Sequence, residues 1–131
     1  MKNIADKSQE FRIKILNTIK NAGKGHIGGA YSCIDILTVL YYCDILKIDK
    51  NNFLDHDRNR FLLSKGHAAI SQYVVLHDLG LITDQDLDQL NNGGILGEHP
   101  DHKIPGVEFD SGSLGHGLGV ASGFALAAKL D

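Results

Sequence analysis

Gly112-Ser113-Leu114-Gly115-His116-Gly117-Leu118-Gly119 packs four glycines into eight residues and runs directly into an apolar stretch from Val120 to Leu130. Glycine admits positive φ and lets main chain approach a ligand closely. The first turn of a helix offers N–H groups with no partner inside the helix, and these suit an anion or a polar ring. The stretch therefore predicts a helix whose entry is a backbone cradle for a small molecule. Gly115, Gly119, Gly123 and Ala127 recur every fourth residue and form a ridge with almost no side chain. Each interior glycine costs about 1 kcal/mol of helix propensity against alanine. The ridge thus predicts a close contact that offsets those costs, with another helix or a ligand pressed against the backbone.

Working outward, three upstream histidines stand at tight turns: Gly25-His26, Gly66-His67 and Glu98-His99-Pro100. A neutral imidazole both donates and accepts and titrates near neutrality, which suits proton traffic at hydroxyl and carbonyl groups. One such histidine is usually structural; His26, His67 and His99 beside a glycine cluster favour a shared cleft. Ser64-Lys65-Gly66-His67 adds a cation that could meet phosphate. His56 and His77 have no glycine neighbours and read as surface or core residues. His99-Pro100-Asp101-His102 with Glu98 superficially offers metal ligands, but Pro100 breaks any helix and no second cluster has ligand spacing. No metal ligand is assigned. Gly117 to Gly123 imitates a dinucleotide-binding fingerprint, but lacks the preceding apolar strand and the later acidic residue.

The elements around these motifs are mostly helical. Phe11, Ile15, Ile19 and Ala22 share one face of a helix from Asp6 to Ala22, stopped by Gly23. Gly25 to Gly29 reads as a glycine-rich turn. Ser32 with Asp35 predicts a capping box for a helix from Cys33 to Leu46, apolar on nearly all sides. Arg60 to Ser64 is the one credible strand, ended by Lys65-Gly66. A helix from Ala68 to Leu79 follows, then a short one capped by Thr83 and Asp86. Residues 93–113 form a loop holding both prolines, Pro100 and Pro105. Loops of that length inside compact domains are uncommon and usually functional or disordered; this one reads as functional.

The bulk numbers are those of a soluble globular chain of one domain at most: 131 residues, 43% hydrophobic and 22% charged. A net charge of −3 gives no case for nucleic acid or an anionic membrane. No apolar run approaches the roughly 20 residues of a transmembrane helix, and Met1-Lys2-Asn3 does not open a signal peptide. Cys33 and Cys43 read as buried thiols in a reducing compartment, so a cytoplasmic location is expected.

Five segments occur in the order found at the start of transketolases. They are Lys24 to Ser32 (KGHIGGAYS), Arg58 to Ala68 (RNRFLLSKGHA), Gly97 to Pro100 (GEHP), Pro105 to Glu108 (PGVE) and Gly112 to Gly115 (GSLG). The chain resembles that family over nearly its whole length, most closely the split transketolases whose two halves are separate polypeptides. The resemblance implies an α/β thiamine diphosphate-binding fold, of which residues 1–131 are the first, mostly helical half of the diphosphate-binding domain. It implies transfer of a two-carbon ketol unit between sugar phosphates, with thiamine diphosphate doing the hard chemistry. By motif, His26 contacts substrate hydroxyls and assists proton transfer, His67 lies by the diphosphate and substrate, and His99 meets the donor's terminal hydroxyl. Gly112, Ser113 and Leu114 meet the aminopyrimidine. Ile27 stands where the family usually has Pro, and His116 where Gln is common. The family's Gly-Asp-Gly…Asn motif, which holds Mg²⁺ and the diphosphate, is not in this sequence. Neither is the second domain with its activating glutamate. The expected partners are therefore sugar phosphates, a homodimer mate and/or a C-terminal transketolase subunit, and the isolated chain is expected to be inactive. The other readings are a truncated helical interaction module, or a fragment of another thiamine diphosphate enzyme such as a deoxyxylulose-phosphate synthase.

Overall fold

The structure, a computed structural model, describes residues 3–130; Met1-Lys2, on which the expectation of no signal peptide partly rests, and Asp131 lie outside them. α1 spans Ile4–Ala22, begun by the Asn3 side chain accepting from the Ala5 N–H and ended by Gly23 in the left-handed region at φ 72°. α2 covers Ile27–Tyr31 and α3 Ile34–Tyr42. A 3-10 turn at Gly66–Ala68 leads into α4, Ala69–Asp78. α5 is Asp84–Asp88 and α6 is His116–Leu130.

The predicted apolar stripe of α1 is the one that packs: Phe11, Ile15 and Ile19 are buried against α3 and α4. α3 is narrower than its sequence suggests. It buries Ile34, Leu37, Thr38 and Tyr41, leaves Ile36 61% exposed, and ends at Tyr42 rather than Leu46. The helix enclosed on every side is α4, where every residue from Ala69 to Leu76 is buried. The Ser32–Asp35 capping box does not form, because the Asp35 carboxylate accepts from Ser8 and from Arg12 Nη2, the latter at 2.6 Å. Thr83 and Asp86 do form the predicted box on α5. Gly25 to Gly29 is only partly a turn, since residues 27–31 close one helical turn of their own.

No strand is present among the described residues, so Arg60 to Ser64 is not one. A strand exists through its ladder, and here the Leu63 carbonyl accepts from the Ser111 hydroxyl at 2.7 Å instead. The two thiols are not buried either: Cys33 is half-buried, Cys43 is exposed and both are free. Among the described residues, no helix is long and apolar enough to cross a membrane.

Candidate functional site

Two close approaches bring the glycine-rich entry of α6 onto the Ser64–Gly66 turn. A Cβ on Gly66 would lie 2.6 Å from the Ser111 carbonyl oxygen, and one on Gly117 would lie 2.5 Å from Ser64 Cβ. Only glycine fits at either point. The Gly117 N–H donates to Ser64 Oγ at 3.0 Å, so one side chain satisfies an orphan donor of the α6 N-terminus. Gly115, at φ 84°, makes the turn into the helix. Gly112, Ser113 and Leu114 are left exposed beside His99, whose ring carbon Cδ2 is 3.6 Å from where a Gly112 Cβ would be.

The three histidines converge. His26 and His67 meet edge-on with ring centroids 5.6 Å apart, and His67 lies close enough to Lys65, His26 and His99 to feel the charge of each. Its pKa is held below the usual 6.5 by desolvation first, then by the Lys65 ammonium and by charge on the other two rings. His67 is half-buried; His26 and His99 are exposed. Gly29 is needed behind this pair, since a Cβ there would come within 3.0 Å of the His67 ring. Lys65 is not merely solvated: Nζ donates to Ser32 Oγ at 2.8 Å, and that hydroxyl donates to the Gly29 carbonyl.

Sequence reasoning missed the supports. The buried Tyr73 of α4 donates its hydroxyl to the His99 carbonyl at 2.8 Å, and Ser111 anchors the approach to the cradle. Tyr73 sits in the fully buried run of α4, with no local signal; Ser111 borders the glycine cluster and was within reach. His116 packs on Phe109, with ring centroids 6.0 Å apart. His99 and His102 do not form a metal pair. The ligand atoms that gather within 4.8 Å belong to Asp101, His102 and Asp110, where Asp110 already accepts from the His102 main chain and ring. A shallow depression near Tyr41, Arg58 and Glu108 is lined by none of the three histidines. Its floor is a buried ion pair, Glu108 Oε1 to Arg58 at 2.5 Å, without a well-angled hydrogen bond.

Exposed main chain at 112–114, imidazoles that donate and accept, and the Lys65 ammonium are groups that could hold a polar ring and an anion. The residues present fit thiamine diphosphate on those grounds. Known proteins agree: residues 5–130 match the family described as transketolase, thiamine diphosphate binding domain, and the chain belongs to it. It is 41% identical over 125 residues to one of the subunits of the apulose-4-phosphate transketolase of Phocaeicola vulgatus, covering 95% of this chain and 44% of that protein. A 6-deoxy-6-sulfo-D-fructose transketolase subunit of a Clostridium species is 38% identical, covering 88% of this chain and 42% of its own length. The transketolase of Leishmania mexicana superposes with a TM-score of 0.85 at 29% identity, over 94% of this chain and 19% of that one. The helical arrangement is thus the first part of the thiamine diphosphate-binding α/β fold. The chain spans less than half the length of the curated relatives it matches.

Proposed function

We propose that this chain is the N-terminal portion of a transketolase, moving a two-carbon ketol unit between sugar phosphates together with further polypeptide that completes the diphosphate-binding domain and supplies the second one. The observation that carries the reading is the gathering of His26, His67, His99 and the Gly112–Leu114 main chain on one face, in a chain of this family. Thiamine diphosphate, when bound, supplies the nucleophilic carbon and the electron sink of the reaction. The chain's own residues bind and orient. Gly112, Ser113 and Leu114 lie along the aminopyrimidine, and His67, held neutral at pH 7, donates one hydrogen bond and accepts another between diphosphate and substrate. His99, with its main chain fixed by Tyr73, meets the donor's terminal hydroxyl. His26 meets substrate hydroxyls and holds or passes a proton there. Mg²⁺ takes its protein ligands, and the diphosphate its further contacts, from outside these residues. Named relatives that are transketolase subunits support a partner subunit; a homodimeric assembly and a cytoplasmic location complete the proposal.

The test is ketol transfer from a ketose phosphate to an aldose phosphate, with thiamine diphosphate and Mg²⁺. The purified chain alone is expected to show no turnover, and the chain combined with the completing polypeptide to show it. Turnover by the chain alone, or none by the complete assembly, would sink the reading.

A further inference from the structure

We propose that the Lys24–Glu98 ion pair is a positioning device, tying the turn that carries His26 to the turn that carries His99 on the face where the histidines gather. The proposal rests on the reading of His26 and His99 as substrate-facing. Lys24 Nζ stands 3.4 Å from Glu98 Oε1, with the side chains 60% and 33% exposed. Lys24 is two residues before His26, and Glu98 is the residue before His99. Each turn has its own anchor. On the His99 side, the Tyr73 hydroxyl grips the His99 carbonyl at 2.8 Å and Pro100 is buried. On the His26 side, Gly25 packs so closely on the core that a Cβ there would lie 2.9 Å from Ile19 Cγ1 and from Ile70 Cδ1, and the Ala30 N–H donates to the His26 carbonyl at 3.0 Å. The ion pair joins the two anchored turns on their solvent side, where Lys24 and Glu98 stand next to the histidine-bearing segments.

An ion pair this open to water adds little to stability. Its effect is on geometry: while it is made, the reach of two side chains bounds the distance between residues 24 and 98, and the adjacent imidazoles follow. Covering the cleft with the rest of the enzyme lowers the effective dielectric there and strengthens the pair. Lys24 and Glu98 are positioning residues, acting through His26 and His99.

Charge exchange in the complete enzyme tests this. Lys24→Glu and Glu98→Lys singly set like charges face to face, and each is expected to lower kcat/KM for a ketose phosphate about fivefold, mainly through KM. The double exchange is expected to restore it to within about twofold, since contacting residues couple. The thermal unfolding midpoint should stay at the parent value throughout. Losses that multiply in the double variant, or midpoints that fall with activity, would overturn the proposal. A second readout needs no turnover: the imidazole Cε1–H resonances of His26 and His99 in the chain alone. Shifts in the double variant that depart from the sum of the singles support the pair, even if the parent enzyme proves inactive on ketose phosphates and the transketolase reading falls. Shifts that simply add overturn it.

Discussion

His67 shows how a side chain's neighbours choose its chemistry. Partial desolvation and the Lys65 ammonium both disfavour its charged form, and the rings of His26 and His99 add to the effect. The unfolded chain takes a proton at this residue near pH 6.5, the folded chain only at lower pH. Its contribution to stability is therefore complete above 6.5 and is lost as pH falls through that value toward the folded pKa. By NMR, the His67 ring is expected to titrate below 6.5, and in Lys65→Gln to move up without reaching 6.5, because desolvation remains. A parent value at or above 6.5 would remove the basis for a neutral imidazole in the cleft. The three histidines were legible in the sequence because glycine or proline beside each marks a tight turn. Their partners were not. Lys65 reaches Ser32 and Tyr73 reaches His99 across 33 and 26 residues of chain, and side-chain pairs that distant leave no local pattern.

Among the elements, α6 turns a sequence pattern into a sharp contrast. Gly117 lies against Ser64, whereas nothing stands within 4 Å of a Cβ placed on Gly119 or Gly123. Gly117→Ala is expected to destabilise by about 1–3 kcal/mol, the usual cost of overpacking. Gly119→Ala and Gly123→Ala should each stabilise the helix by about 1 kcal/mol in the chain alone. Amide exchange within α6 reads all three; slower exchange in Gly117→Ala, or none in the other two, would contradict the packing. The ridge predicted from the four-residue spacing is present, but the helix or ligand expected on it is not among the described residues. The same limit explains the missing strand, since an apolar run becomes a strand only when a neighbour supplies the ladder. Caps carried by local geometry, such as Thr83 with Asp86, were readable. The Ser32–Asp35 box failed because Arg12 and Ser8 claimed its carboxylate from another helix.

In the molecule as a whole, α1, α3 and α4 make a closed core, while α6 packs against no other helix among the described residues and buries only Gly117. Leu118, Leu126 and Leu130 are 60% exposed or more. Hydrogen-exchange protection follows burial, so α6 is expected to exchange fastest of the long helices and to become protected when the completing polypeptide is added. Protection equal to that of α4 before addition, or none after it, would refute a docking role. The cradle also has a schedule. The Ser111–Leu63 bond closes a loop of 48 residues, at an entropic cost of about 3.5 kcal/mol. A hydrogen bond returns only about 1 kcal/mol, and Gly117–Ser64 adds a second at almost no further closure. Burial of Leu63, Ile104 and Val107 has to supply the balance. On the ribosome, then, a nascent chain that has emerged only to Asp110 holds all the core helices and all three cleft histidines, yet no cradle. The cradle comes into being within the next seven residues.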